Sequence, residues 1–310
     1  MDSRMDKRVQ QKKKKSWLRR ITFVLVAFIL TMLGLGYMEY QRGLSQAETD
    51  KPEETYDFNG IPDRSGNTNV LLIGVDSRGE EDSRSDTIMI AQYDHDDNTP
   101  KLVSIMRDSY VDIPGRGKNK INAAYFYGGP ELLRQTIKEN FDIDVEYYAI
   151  VDFKGFEKMV DIIAPEGVPV NVEKKMEKNI GVTLEPGQQN LNGQELLGYA
   201  RFRHDAESDF GRVKRQQEVI GKLKDEFVSI SAVTQLPQLA GTLQGYVDTN
   251  METTRMLSVG KDFVFQKAED IENLRIPVEG GFTETRVSHA GAVLKLDMEK
   301  NRQALKEFLE

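Results

Sequence analysis

The uncharged run Ile21–Met38, ITFVLVAFILTMLGLGYM, constrains this chain more than any other stretch. It is close to the ~20 apolar residues that cross a bilayer as a helix. Residues 1–20, just before it, hold nine cations (Arg4, Lys7, Arg8, Lys12, Lys13, Lys14, Lys15, Arg19 and Arg20) against Asp2 and Asp6. The formal total is -8, so a tail of +7 precedes a remainder of -15. A lysine run beside an apolar run argues against a buried core helix. It also fixes direction, because positive flanks stay in the cytoplasm. The expectation is a single-pass cell-membrane protein with a cytoplasmic N-terminus and everything after Glu39 outside. The rival is a cleaved signal peptide, with Ser45-Gln46-Ala47 as a small-x-small site. Against it, the run is long for a signal core, and Glu39 and Arg42 intervene before the site.

Composition shifts divide the rest. Residues 39–68 are polar and acidic, with scattered Gly, Pro and Ser, and read as an extracytoplasmic stalk. A folded domain is expected over 69–310. Val70–Asp76 reads as a buried strand. Asp86–Asp94 and Leu102–Arg107, joined by a turn-rich stretch, read as an antiparallel hairpin. Pro130 opens a helix with Leu133, Ile137 and Phe141 at i, i+4 and i+8. Tyr147–Val151 reads as a strand, and Asp152 as the cap of the helix after it. Val168–Val172 is a short strand, LNGQELLGYA a short helix and Phe210–Ile230 a long one. Helices around 232–246 and 253–266, strands around 274–278 and 292–296, and a helix from Met298 complete the chain. Interleaved strands, hairpins and helices predict an α/β fold. Its form is a three-layer α-β-α sandwich with a mixed central sheet, preceded by one N-terminal transmembrane helix.

Several chemistries are excluded. With no cysteine, there is no thiol nucleophile, cysteine-ligated zinc or disulfide framework. No G-x-G-x-x-G follows a strand and no G-x-S-x-G is present. Gly115-Arg116-Gly117-Lys118-Asn119 lacks the spacing and closing Ser/Thr of a phosphate loop. His95, His204 and His289 are isolated, which is no zinc set, and His95 and His289 read as surface residues.

What remains is a set of carboxylates and guanidiniums at element ends. In NVLLIGVDSRGEEDSRSDT, Asp76 ends one strand and Asp86 begins the next, with Arg78 and Arg84 in the loop between. Neighbouring strands lie roughly 5 Å apart, so pairing these two brings both carboxylates to one sheet edge. Two anions there repel unless a cation intervenes. Oxygen ligands without Cys or paired His suit Mg²⁺, with Mn²⁺ as the alternative. Turn-capping Asp residues are the plainer reading. Arg107 follows an apolar strand in SIMRDSY, and Arg201 and Arg203 alternate in YARFRHD. On the helix DFGRVKRQQEVIGKL, stepping ~100° per residue puts Gln216 inside the arc of Val213, Ile220, Leu223 and Phe227, with Arg212 at its edge. A helix start with guanidiniums suits phosphates. A salt-bridge network with Asp205, Glu207 and Asp209 is the competing reading. Nucleic acid is disfavoured, because the folded part is acidic and placed outside the membrane.

GVDSR…SDT, SIMRD, INAAYFYGG, LNGQELLGYARFRHD and DFGRVKRQQ, in that order, resemble the LytR-CpsA-Psr family. The resemblance spans a motif core of 69–227 within a catalytic domain of 69–310. It implies a phosphotransferase that moves an anionic glycopolymer from a polyprenyl-pyrophosphate carrier to the C6 hydroxyl of N-acetylmuramic acid in peptidoglycan. The whole chain, including VLKLDMEKNRQALKEF, looks like the teichoic-acid-transferring members. The resemblance further implies that Asp76 and Asp86 hold Mg²⁺, and that Arg84, Arg107, Arg201, Arg203 and Arg212 grip the pyrophosphate with Gln216 beside them. Arg78 falls in the same loop. Asp76, Asp86, Arg84 and Arg107 are the candidate catalytic set, with Asp86 a candidate base. Met106 stands where many members have Pro. The implied partners are the lipid-linked glycopolymer, peptidoglycan and the bilayer. Two other functions fit the same residues: a polyprenyl-phosphate-binding regulatory or attenuator protein, and a polyprenyl pyrophosphatase.

Overall fold

The computed structural model describes residues 30–32, 34–45, 56–76, 85–93, 99–228, 230–252, 254–256, 258 and 270–309. Its centre is a six-stranded sheet in the order β10-β3-β2-β1-β6-β9. The strands are β1 (Thr68–Val75), β2 (Ser85–Tyr93), β3 (Pro100–Ile105), β6 (Tyr147–Asp152), β9 (Val247–Thr249) and β10 (Glu272–Ile276). β1 pairs antiparallel with β2 and parallel with β6, while β10 pairs parallel with β3, so the sheet is mixed as expected. A four-stranded sheet holds β4 (Ser109–Ile113), β5 (Gly117–Lys120), β11 (Phe282–Val287) and β12 (Gly291–Leu296), and β7 (Val168–Val172) pairs with β8 (Gly187–Leu191).

The period-2 alternation of β1 and β2 sorts the two faces. Leu71, Ile73, Val75, Ile88 and Ile90 point to one face. There they are buried with Ile121, Ala124, Leu133 and Ile137 of the region around α1 (Asn122–Phe141) and with Leu305 of α6 (Met298–Leu309). Leu72, Gly74, Thr87 and Met89 point the other way, toward α2 (Phe153–Ile163), α3 (Gly193–Arg201) and α4 (Ser208–Val228). Helices therefore flank both faces. α5 (Ile230–Tyr246) packs on α2 outside this layer.

Local signals explain most element ends. The Asp152 side chain accepts from the Gly155 N–H and caps α2. Asn192 and Glu195 form a reciprocal capping box on α3. α1 begins at Asn122, not Pro130, and breaks at Gly128 and Gly129, where Gly129 takes φ 61°. Gly115 and Gly117, with φ 70° and 73°, turn the β4–β5 hairpin, so the glycine-rich stretch is a hairpin and no phosphate loop.

The expected stalk needs correction. Tyr56 and Phe58 pack on the main core, and the Ile61 N–H donates to the Val145 carbonyl at 2.8 Å. Residues 34–45 are helical and lie on α5. Both ends of 39–68 are thus parts of the folded unit, because each carries apolar or small residues that find a partner there. Most of the expected span 21–38 lies outside the described residues. Among those described, no helix is long and apolar enough to cross a membrane.

Candidate functional site

A bulge builds the site. β1 and β2 keep one register from Thr68↔Tyr93 to Gly74↔Thr87, then Val75 pairs with Ser85. Asp86 is the extra residue. A bulge re-aims side chains by breaking the alternation. An unbroken β2 would put Asp86 on the same face as Ile88 and Ile90. Instead Asp86 and Thr87 both line the cavity on the opposite face, while Ser85 is fully buried. Gly74 permits the close approach, since a Cβ there would sit 2.9 Å from the Thr87 Cβ.

The cavity, about 260 Å³, lies between the sheet and α2, α3 and α4. Its lining is graded. Along β2, Asp86 and Thr87 are followed by Met89. Along β1, moving away from Asp76, Gly74 is followed by Leu72. Asp152 and Phe153 precede Phe156 and Met159 on α2, and Arg212 and Gln216 precede Val219 and Ile220 on α4. Arg201 and Arg203 follow Leu197 at the end of α3. Four of these elements therefore run from a charged rim to an apolar interior, and β1 adds Gly74 and Leu72 to the wall. Gln216 donates to the Thr87 hydroxyl at 3.0 Å, tying α4 to β2 at the boundary.

The rim is a lattice of opposite charges. Arg107 donates to Asp86 and lies 3.9 Å from Asp108 and 4.0 Å from Asp209. Arg212 bonds Asp209 at 2.9 Å and lies 3.9 Å from Asp86. Arg201 stands 3.9 Å from Asp76 and 4.0 Å over the Phe153 ring. Burial pulls the Arg107 pKa down, but Asp209, Asp86 and Asp108 outweigh it and hold that guanidinium above its ordinary value. Arg212 goes the other way. Burial lowers it, Arg107 and Arg203 add to that, and Asp209 and Asp86 do not make up the difference. Arg212 is 5% exposed, and its Nε and that of Arg107 have no hydrogen-bond partner among the described residues. A buried, under-compensated guanidinium calls for an anion.

Of the expected site residues, Asp86, Arg201, Arg203, Arg212 and Gln216 line the cavity. Arg107 and Asp76 stand behind that lining, joined to it through Asp86 and Arg201. Arg78 and Arg84 lie outside the described residues. The salt-bridge reading of the α4 start holds for two residues: Arg212 pairs with Asp209 while lining the cavity, and Arg215 pairs with Asp205 at 2.9 Å, donates to the Phe202 carbonyl and is buried away from the cavity. Lys178 and Asn179 also line the cavity, and Asn179 bonds His204 at 2.9 Å. Sequence reasoning missed both, since a loop with no motif gave no signal. His289 is exposed, as expected, and His95 falls outside the described residues.

Among the described residues, no three His, Cys, Asp or Glu cluster around a common point. Asp76 and Asp86 offer oxygen only, with side chains 27% and 36% exposed. Both arginines approach the same Asp86 oxygen, Oδ1. Their oxygen donors are of the kind Mg²⁺ takes, and each carboxylate already faces a guanidinium, Arg201 for Asp76 and Arg107 for Asp86.

The LytR_cpsA_psr family model matches residues 34–307. The chain belongs to this family. The regulatory protein MsrR of Staphylococcus aureus (strain COL) is 47% identical over 272 residues, 87% of this chain and 83% of that protein. The polyisoprenyl-teichoic acid–peptidoglycan teichoic acid transferase TagU of Bacillus mycoides (strain KBAB4) is 31% identical over 276 residues, 84% and 89% of the two chains. A solved structure described as TagT bound to LIIa-WTA superposes with a TM-score of 0.64 at 26% identity, covering 84% of this chain and 96% of that one. The family resemblance read from five motifs thus extends over nearly the whole described domain.

Proposed function

We propose that this family member is a membrane-anchored phosphotransferase. It moves an anionic glycopolymer, wall teichoic acid in the first instance, from a polyprenyl-pyrophosphate carrier to the muramic acid C6 hydroxyl of peptidoglycan. One observation carries the reading: a cavity whose lining changes from arginines and aspartates to Leu, Met, Phe and Ile along four elements. Such a gradient is complementary to an amphiphile with a pyrophosphate head and a hydrocarbon tail. Burial supplies about 25 cal/mol per Å² of tail, and guanidinium forks match phosphate oxygens.

In this reading Arg107, Arg201, Arg203 and Arg212 hold the pyrophosphate, and Gln216 sits at the boundary between head and tail. Phosphoryl transfer is governed by positioning and charge neutralisation. Arg107 and Arg212, fixed by Asp86 and Asp209, stabilise charge growing on the equatorial oxygens without reorganising during the reaction. The attacking hydroxyl loses its proton to a rim carboxylate, for which Asp86 is the candidate. Arg78 and Arg84 belong to the same proposal through their loop. Mg²⁺, or Mn²⁺, held by Asp76 and Asp86 would supply further charge neutralisation on the pyrophosphate.

The assay uses purified full-length protein, a synthetic polyprenyl-pyrophosphate-linked teichoic acid precursor and peptidoglycan oligomers with Mg²⁺. The expected products are polyprenyl phosphate and a polymer joined to muramic acid by a phosphodiester. A second reading, a regulator that binds the carrier without turnover, is favoured by the name of the 47% identical relative. Saturable binding of the donor with no product would establish it and sink the transferase. Release of free polymer without linkage to glycan would make the protein a pyrophosphatase.

A further inference from the structure

Helix 34–45 meets α5 at two glycines. A Cβ on Gly43 would clash with the Gln238 carbonyl and come within 2.8 Å of the Thr242 nitrogen; one on Gly241 would clash with the Tyr40 carbonyl and come within 2.9 Å of the Leu44 nitrogen. The backbones touch here, and only glycine on both sides allows it. Gly36 faces Pro237, and the Tyr40 hydroxyl donates to Gln244. Gly36, Tyr40 and Gly43 fall at helical spacing, so one stripe of the helix is dedicated to α5. Away from that stripe the helix is apolar and uncovered only as far as Met38; Glu39 and Arg42, paired at 2.5 Å, follow. Leu30, Met32, Leu35, Tyr37 and Met38 are five of the eight large apolar side chains exposed among the described residues. α5 contains no charged residue from Ile230 to Tyr246. A soluble surface rarely concentrates apolar side chains in this way, whereas small-residue crossings are how helices pack in lipid. α5 in turn lies on α2, where a Cβ on Gly155 would meet the Tyr246 Cβ at 2.9 Å, and α2 contributes Phe153, Phe156 and Met159 to the cavity.

We propose that helix 34–45 is a rigid strut rather than a tether. Clamped to α5 at Gly43 and Gly241, it presents Leu35, Tyr37 and Met38 to the bilayer, keeps the Glu39–Arg42 pair at the water side, and fixes the apolar interior of the cavity beside the lipid. The orientation rests on the membrane reading given above; the clamp does not. A donor whose tail stays in the bilayer is then met by a cavity already aligned to receive it.

The chain has no cysteine, so an introduced pair reports alone. Full-length Tyr40→Cys/Gln244→Cys protein is reconstituted in phosphatidylglycerol/phosphatidylethanolamine vesicles and treated with a short bis-maleimide. The strut predicts efficient internal cross-linking, lost on adding Gly43→Leu and kept on adding Ser45→Leu, which lies outside the crossing. Gly43→Leu is further expected to lower transfer from a vesicle-embedded donor at least tenfold, while a detergent-dispersed short-chain donor turns over within twofold. No cross-link with Gly43 intact, or an equal one with Gly43→Leu, overturns the strut. Protein that does not float with the vesicles overturns the membrane orientation, and this result is separable because the cross-link can also be read in detergent.

Discussion

Arg107 and Asp86 are joined by a charge-assisted hydrogen bond that depends on one inserted residue. Because β2 carries Asp86 as an extra residue opposite the Gly74–Val75 step, its carboxylate turns to the cavity face and meets the guanidinium leaving β3. The planar fork of Arg107 faces Asp86, Asp108 and Asp209 together. Arg107→Lys keeps the charge but replaces that fork with a point charge. The expected result is a fall of about 10²-fold or more in kcat/KM, the scale of losing one preorganised donor. The melting temperature should change little, since the side chain is partly exposed. Wild-type turnover in the Lys variant would remove Arg107 from the catalytic set.

Arg212 supplies a binding prediction. Its guanidinium is buried, with Asp209 as its close partner and an Nε left without one among the described residues, so in the proposed reading an incoming pyrophosphate would add the missing anion. A ligand that binds only the native state stabilises it by RT ln(1 + [L]/Kd), about 2.7 kcal/mol at a hundredfold excess over Kd. A polyprenyl pyrophosphate should therefore raise the melting temperature of the wild type. Arg212→Gln should lose most of that shift while melting near the wild type without ligand. An undiminished shift in the variant would place the head group elsewhere.

The signals legible in the sequence were those carried by periodicity and by caps. Leu133, Ile137 and Phe141 announced the second half of α1, and the Asp152 cap and the β2–β3 hairpin followed from local chemistry. β5 (GKNK), β8 (GQQNL) and β9 (VDT) went unread, because such short polar strands exist only through their partners. Arg212 and Gln216 were placed by helical phase. The Asp86 bulge was not legible, since a register shift belongs to the pair of strands and leaves no mark on either. The docked ends of the expected stalk were hidden for a similar reason: Gly43 and Tyr56 look like linker residues until α5 and Tyr148 are beside them.

Arg215 lies three residues beyond Arg212 on the same helix, yet its role is structural. It pairs with Asp205, whose side chain is 2% exposed, and caps the Phe202 carbonyl. Among the described residues, Arg215→Ala leaves Asp205 with only Lys174 at 3.5 Å and the Ser208 N–H at 2.9 Å, a loss of about 1–3 kcal/mol. The expected outcome is a loss in denaturant midpoint, with kcat per folded molecule at low temperature within a few-fold of wild type. Loss of activity without loss of stability would move Arg215 into the site.

Glu131 gives a pH prediction for the segment expected to be stalk. Its carboxylate accepts from Arg134 at 2.6 and 2.9 Å, from Gln135 at 2.8 Å and from the Asn59 N–H at 2.9 Å. Burial pushes its pKa up, but these donors outweigh it and bring it down from 4.5 to about 2. The sign follows from linkage. A group whose folded pKa is depressed contributes stability that is fully present above its unfolded value and is lost as pH falls through the folded one. The window is therefore pH 4.5 down to about 2. After discounting for partial exposure, the contribution is about 2 kcal/mol. In urea titrations across that window, Glu131→Gln should start lower at pH 7 and show a shallower decline on acidification than the wild type. Proteolysis should also reach residues 56–61 sooner in the variant, because the tie to Asn59 is weakened. Parallel declines in the two proteins would mean that Glu131 does not hold the segment through its charge.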